Sequence, residues 1–322
     1  LNPVCAQTPG QADASDSTPK VQRANTAVAL HRPRIGLALG GGGSRGAAHV
    51  GVLKVLQEEH IPIDMIAGTS IGSVVGGFYA AGKPVDEIAE LFTTNKFTKE
   101  FTPMPVLRLA TEPTELTLRL FGWHPYDGLY FGWKFRGYVN KTIGQRNIEQ
   151  LNIPYAAVVT DVVTGKSVRL TSGDVAYAMQ ASTAVPGLKK PVQIGDKLYC
   201  DGGTINNVPV NHVREMGADF VIAVDIDQPL KDQPISKFRK LGSMERQALN
   251  IQLAAFDAPS AKTADIYIHP DTSGINLVSF HKGDGQVGID AGIKAARAAM
   301  PEIKRKLATM GIITASQSTA QH

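Results

Sequence analysis

Short apolar runs alternate with stretches of helical periodicity from Ile35 onward. Ile35-Gly36-Leu37-Ala38-Leu39 reads as a buried strand, broken abruptly by four consecutive glycines, Gly40 to Gly43. Ala47, Val50, Leu53 and Leu56 then recur at helical spacing, and Gln57-Glu58-Glu59 marks the solvated end of that helix. A second apolar strand, Ile63 to Gly68, turns at Ser70 into a helix from Ile71 to Ala81. That helix is apolar or small on nearly every side, so it is expected to be buried, with Gly76 and Gly77 allowing close packing on a sheet. Short helices follow at Asp86 to Leu91 and Phe135 to Ile143.

Further on, two apolar runs flank Thr164-Gly165-Lys166, a hairpin signature, and a second hairpin turns at Gly195-Asp196. A helix from Asp174 to Ala181 lies between them. Phe220 to Asp225 and Ile266 to Ile268 complete the strands, and a long helix is expected from Val287 to Leu307. Its Lys294, Arg297, Lys304, Arg305 and Lys306 read as a solvated face. Strands alternating with helices in this way give an α/β chain.

Composition changes this picture little. The 322 residues, 43% hydrophobic and 19% charged, suit one large α/β domain or two smaller ones. A net charge of +4 is mild and spread out, which argues against nucleic acid and is compatible with transient contact with a membrane surface. Cys5 and Cys200 sit in unrelated contexts and suggest neither a disulfide framework nor a zinc site. Residues 1–32 read as a flexible N-terminal segment and 311–322 as a disordered tail. Leu1 to Ala6 has the small residues that end a signal peptide; on that reading the location is periplasmic or secreted, and otherwise cytoplasmic or peripheral to a membrane. The segment 93–150 is rich in aromatics, among them Phe97, Phe101, Phe121, Trp123 and Trp133, interleaved with Pro103, Pro105, Pro113 and Pro125. It reads either as a cap over a site or as a satellite core.

Candidate chemistry centres on Gly68-Thr69-Ser70-Ile71-Gly72. A serine on so sharp a strand-to-helix bend needs neighbours with almost no side chain, and Gly68 and Gly72 meet that need. Ser70 is therefore read as a nucleophile. The loop of Gly41, Gly42, Gly43, Ser44, Arg45 and Gly46 fits a dinucleotide fingerprint, but the second strand ends in Gly68-Thr69-Ser70 where a ribose-binding acid would stand. An oxyanion hole of loop amides beside Ser70 explains it better, with Arg45 either anchoring the loop or lending positive potential. The rival reading is a nucleotide-binding or regulatory module that uses the Gly40–Gly46 loop. Asp201, followed by Gly202 and Gly203, closes another strand and joins the candidate site. His212, His269 and His281 would be candidates for a serine–acid–histidine triad, but none sits in a glycine-framed loop, and each reads as a surface or capping residue. His49 reads as a structural support of the glycine loop.

Taken jointly, four segments give the chain its likeness to a known family: Gly41 to Gly46, Gly68 to Gly72, Ala181-Ser182-Thr183-Ala184-Val185-Pro186-Gly187, and Asp201-Gly202-Gly203 with Asn206-Asn207-Val208-Pro209-Val210. In order and spacing they resemble the patatin-like phospholipases, lipid acyl hydrolases with a serine–aspartate dyad. The resemblance implies a three-layer α/β sandwich with a mostly parallel central sheet, in a hydrolase domain spanning 33–310. It also implies an oxyanion loop at Gly41 to Gly46, Ser70 as nucleophile, Asp201 as base and a lipid or phospholipid ester as substrate. No cofactor or metal is implied.

Overall fold

The computed structural model of the protein describes residues 32–94, 96–101, 126, 128, 130–228, 232, 234–239, 243–244, 247–248, 251, 261–281 and 283–312, the side chain of Phe97 excepted. The expected lead-in before residue 32, the tail from 313 and much of the aromatic segment lie outside the described residues. That last group includes Pro103, Pro105, Pro113, Phe121, Trp123 and Pro125.

Eight strands among the described residues form one sheet: β1 (Ile35–Leu39), β2 (Met65–Thr69), β3 (Tyr155–Asp161), β4 (Lys166–Leu170), β5 (Val192–Ile194), β6 (Lys197–Asp201), β7 (Phe220–Val224) and β8 (Ile266–Ile268). Their order is β5-β6-β3-β2-β1-β7-β8, with β4 also paired to β3. Strands β3, β2, β1, β7 and β8 run parallel, while β4 and β6 are antiparallel to β3. The helices are α1 (Ala47–Glu58), α2 (Ile71–Ala80), α3 (Val85–Thr93), α4 (Lys96–Phe101), α5 (Trp133–Ile143), α6 (Val175–Ser182), α7 (Val210–Glu215) and α8 (Asp284–Thr309).

Side chains alternate across the central strands, so each sheet face has its own core. Ile35, Leu37 and Leu39 of β1 join the large cluster made with α1, α2, α3, α5, α6 and α8. Ala38, Met65, Ala67, Ala156 and Ala223 pack on the other side with Val210 and Val213 of α7. The small residues on that face bring α7 close: a Cβ added at Gly36 would fall 2.1 Å from Val213 Cγ1. The result is helix, sheet, helix.

Two helices start two or three residues earlier than the periodicity predicts. The turn into α5 is made by Gly132 at φ 74° and the turn into α8 by Gly283 at φ 110°, and the added residues, exposed Trp133 and Lys134 in one and Asp284, Gly285 and Gln286 in the other, carry no buried apolar side chain to signal the start. The basic face of α8 also differs from expectation. Lys304 pairs with Glu59 at 2.6 Å, and Lys306 donates to the Asp265 carbonyl at 2.7 Å, so part of that face ties α8 down. Helices α1 and α8 cross backbone to backbone, where a Cβ at Gly292 would lie 2.0 Å from the Ala48 carbonyl oxygen. Among the described residues no helix is long and apolar enough to cross a membrane.

The sheet register brings two of the candidate residues together. Strand β4 occupies one edge of β3 from Ala157 to Asp161. On the opposite edge β2 pairs up to Thr69 opposite Val158, and β6 takes over at the next residue, with Asp201 opposite Val159. The ends of β2 and β6 therefore meet head on, and Ser70 and Asp201 follow from that junction.

Candidate active site

Ser70 stands between β2 and α2 with φ 52° and ψ −121°, a backbone conformation that a non-glycine residue adopts only under strain. Its neighbours are glycine for want of space. A Cβ at Gly68 would lie 2.4 Å from the Gly72 carbonyl oxygen, and one at Gly72 would lie 2.2 Å from that of Leu39. Ser70 occupies the position that begins α2, yet its hydroxyl makes no capping bond and is left for other work. Its N–H donates to Ser182 Oγ at 2.9 Å, and that hydroxyl in turn donates to the Val158 carbonyl at 2.7 Å. The unfilled amides at the start of α2 put partial positive charge at this point.

Asp201 is buried at the facing strand end. Its N–H donates to the Ala184 carbonyl at 2.9 Å, and Oδ1 accepts the Gly203 N–H at 2.8 Å. Gly202 lies tight on β3, where a Cβ would fall 2.3 Å from the Val158 carbonyl oxygen. Oδ2 is buried without a hydrogen bond of good geometry, although the Ser70 hydroxyl is near enough to act on the carboxyl. Such contacts are often loose in a free enzyme and tighten around substrate. Burial lifts the Asp201 carboxyl from the usual carboxylate range to about 6, against the opposing pull of the Ser70 hydroxyl, the Gly203 amide and the Lys189 charge.

The glycine loop crosses beside Ser70: a Cβ at Gly41 would lie 3.1 Å from Ser70 Cβ. Of the six loop residues expected to offer amides, three spend theirs internally. Gly41 donates to Asn207 Oδ1 at 3.0 Å, Ser44 to the Leu277 carbonyl at 2.8 Å and Arg45 to the Gly42 carbonyl at 3.2 Å. The expectation thereby narrows, because those amides hold the loop's shape. Gly42 and Gly43 make no such bond among the described residues, and both are partly open to solvent. Arg45 anchors the loop as expected: Nε donates to the Ile275 carbonyl at 3.0 Å and the guanidinium faces Asp227 at 3.6 Å. His49 supports it from below, with Nε2–H donating to the Gly40 carbonyl at 2.7 Å. Its complete burial lowers the imidazole to about 4, so it is neutral.

The other histidines are engaged elsewhere. His212, expected at the surface, is buried on α7 with Nε2 2.7 Å from Ser167 Oγ, because α7 lies flat on the sheet's small-residue face. His269 pairs with Asp225 at 3.5 Å, and His281 with Asp284 at 3.1 Å near the start of α8. Among the described residues no three His, Cys, Asp or Glu side chains gather as a metal site would need.

Three residues were given no individual role by sequence reasoning. Ser182 holds the Ser70 amide. Asn207 bridges two loops, accepting from Gly41 and donating through Nδ2 to Asp227 at 2.7 Å. Lys189 is buried near Asp201. Ser182 and Asn207 lie inside motifs already noted, which is a signal of sorts; Lys189 offered none.

Residues 37–214, more than half of the chain, match the patatin-like phospholipase family. An uncharacterized NTE family protein of Mycobacterium tuberculosis is 38% identical over 195 residues, which cover 61% of this chain and 49% of that protein. The lysophospholipase nte1 of Aspergillus fumigatus is 35% identical over 192 residues, 60% of this chain and 12% of the relative. The aligned stretch thus spans at most about half the length of these relatives. Among solved structures, VipD from Legionella pneumophila superposes with a TM-score of 0.48 at 15% identity, covering 84% of this chain and 67% of that one. Human GIVD cytosolic phospholipase A2 gives 0.47 at 12% identity, covering 87% and 59%.

Proposed function

The chain belongs to the patatin-like phospholipase family, and from that premise we propose that it is a serine hydrolase cleaving carboxylic ester bonds of lipids or phospholipids through Ser70 and Asp201. The observation that carries the reading is the junction of β2 and β6 on one edge of β3, which brings a strained serine and a buried carboxylate together.

Ser70 Oγ attacks the ester carbonyl as Asp201 takes its proton. A carboxyl lifted to about 6 is still ionised at neutral pH and is a better base than an ordinary aspartate. The N–H groups of Gly42 and Gly43 receive the developing oxyanion, where one donor is worth about 3 kcal/mol. Collapse of the tetrahedral adduct expels the alcohol with the proton from Asp201. Water then attacks the acyl-enzyme as Asp201 accepts its proton, and collapse of that second adduct breaks the acyl–Oγ bond, releasing the acid and returning the proton from Asp201 to Ser70. Every step uses groups at hand, and none calls for a cofactor.

Contact with a membrane surface belongs to the same reading. Trp133 at the start of α5 is 65% exposed and stacks on Phe131 at 4.7 Å, next to Lys134 and Arg136. An exposed indole beside cations suits the interface of an anionic bilayer.

The direct test is a panel of phospholipids, lysophospholipids and neutral esters assayed by mass spectrometry. Ser70→Ala and Asp201→Asn are each expected to abolish hydrolysis while the circular dichroism spectrum stays native, and a fluorophosphonate probe is expected to label Ser70. Full turnover by either variant would refute the assignment.

A further inference from the structure

The side chain of Lys189 is among the largest fully buried ones of the described residues, at 2% exposure. Burying an ammonium is costly unless something replaces its water. Here Nζ donates to Thr183 Oγ1 at 3.1 Å and lies 3.3 Å from the ring centroid of Phe101, 4.8 Å from that of Phe135 and 5.8 Å from that of Tyr130. Three aromatic faces solvate a cation in part. A residue kept there for packing alone would be Met or Leu.

What Lys189 touches gives it a role. Ser182, Thr183 and Ala184 are consecutive. The first holds the Ser70 amide, the second holds the Lys189 amine and the third holds the Asp201 amide. Three consecutive residues at the end of α6 thus gather nucleophile, cation and carboxylate. Resting on the assignment of Ser70 and Asp201 made above, we propose that Lys189 is a positioning residue acting through Asp201: a buried counter-charge that keeps the carboxylate ionised and able to take the Ser70 proton.

The surroundings leave few competitors for that role. Among the described residues, the groups set against the Asp201 carboxyl are the Ser70 hydroxyl, the Gly203 amide, the Cys200 thiol and Lys189, the only cation of the four. Strand β3 offers the Thr160 hydroxyl, which is bound to the Asp201 carbonyl, while the Asp161 carboxylate faces its own turn. Against Lys189 stand Asp201 and the Tyr130 phenol. Burial pushes the lysine well below its ordinary range, and the Asp201 charge pushes it back up.

The pH profile of kcat/KM on a soluble monomeric ester tests this. In Lys189→Met the carboxylate loses its counter-charge, so the acid limb is expected to move up by about one pH unit, an about tenfold loss on the acid side. At pH 9, where Asp201 is ionised regardless, the variant is expected to approach the wild type. Lys189→Arg, which keeps the charge, is expected to leave the limb where the wild type has it. A loss that is equal at every pH, or superimposable Met and Arg profiles, would overturn the proposal and leave Lys189 a packing residue. Wild-type protein labelled with 15N-lysine provides an arm without substitution: a buried Nζ resonance that is an ammonium at the pH of the acid limb supports the proposal, and a neutral amine there defeats it. Ser70→Ala is run alongside. Activity in that variant would sink the serine–aspartate assignment and this inference together, whereas a dead Ser70→Ala with an unmoved Lys189→Met limb sinks the inference alone.

Discussion

Asp201 and His49 are both buried, and acid acts on their contributions to stability in opposite senses. The Asp201 carboxyl is raised from 3.8 to about 6 by burial, so between those values the folded chain holds a proton that the unfolded chain has lost, and stability falls as pH rises. The His49 imidazole is lowered from 6.5 to about 4, so across nearly the same window the unfolded chain holds the extra proton, and stability rises with pH. Each effect is of order 3 kcal/mol, and the two largely cancel. Asp201→Asn removes one side of the balance. Its melting temperature is expected to fall more steeply than the wild type's between pH 6.5 and 4.5, measured by calorimetry; parallel curves would contradict the burial argument. Ser70 and Asp201 were legible in the sequence because each sits in a short local pattern of glycines at a strand end. Lys189 was not, since its burial depends on Phe101, Tyr130 and Phe135, which come from two distant helices and the approach to one of them.

Between elements, Asn207 does what no local pattern announces. It fastens the glycine loop after β1 to the loop after β6 by accepting the Gly41 N–H, across 166 positions of sequence, and it secures itself on Asp227. Asn207→Ala is expected to lower kcat by about ten- to a hundredfold with KM little changed, because loop amides aimed at a transition state act only when held in place. An unchanged kcat would show that the loop keeps its shape without this tie. Most of the strands and helices themselves were readable, the central strands as short apolar runs buried on both faces and the outer helices by their helical spacing. Register was not. Nothing in Leu198-Tyr199-Cys200 says that β6 continues the line of β2 along β3, and that junction creates the site. The crossing of α1 and α8 was equally hidden: Gly51 and Gly292 matter for the backbone that each one admits. Gly292→Ala forces a methyl to 2.0 Å from the Ala48 carbonyl, and a loss of about 1–3 kcal/mol is expected in denaturant unfolding.

For the whole molecule, the proposed lipid substrate makes contact with a membrane surface the thing to test. If Trp133 makes that contact, Trp133→Ala is expected to lose several-fold in activity on anionic vesicles and to sediment with them less, while turnover of a soluble monomeric ester stays at the wild-type rate. Equal vesicle binding by both proteins would remove Trp133 from the interface. The lead-in, the tail and the centre of the aromatic segment gave no comparable test, for their sequences have neither the periodicity nor the local motifs that specify a partner. One further consequence comes from the backbone at Ser70. Holding a serine at φ 52° and ψ −121° costs about 1–3 kcal/mol, which the rest of the fold must supply at every moment, substrate or none. Ser70→Gly is therefore expected to melt at a higher temperature than Ser70→Ala, and neither is expected to turn over. Once turnover ceases to matter to a descendant, glycine at this place becomes the comfortable choice, and drift toward it would record the loss.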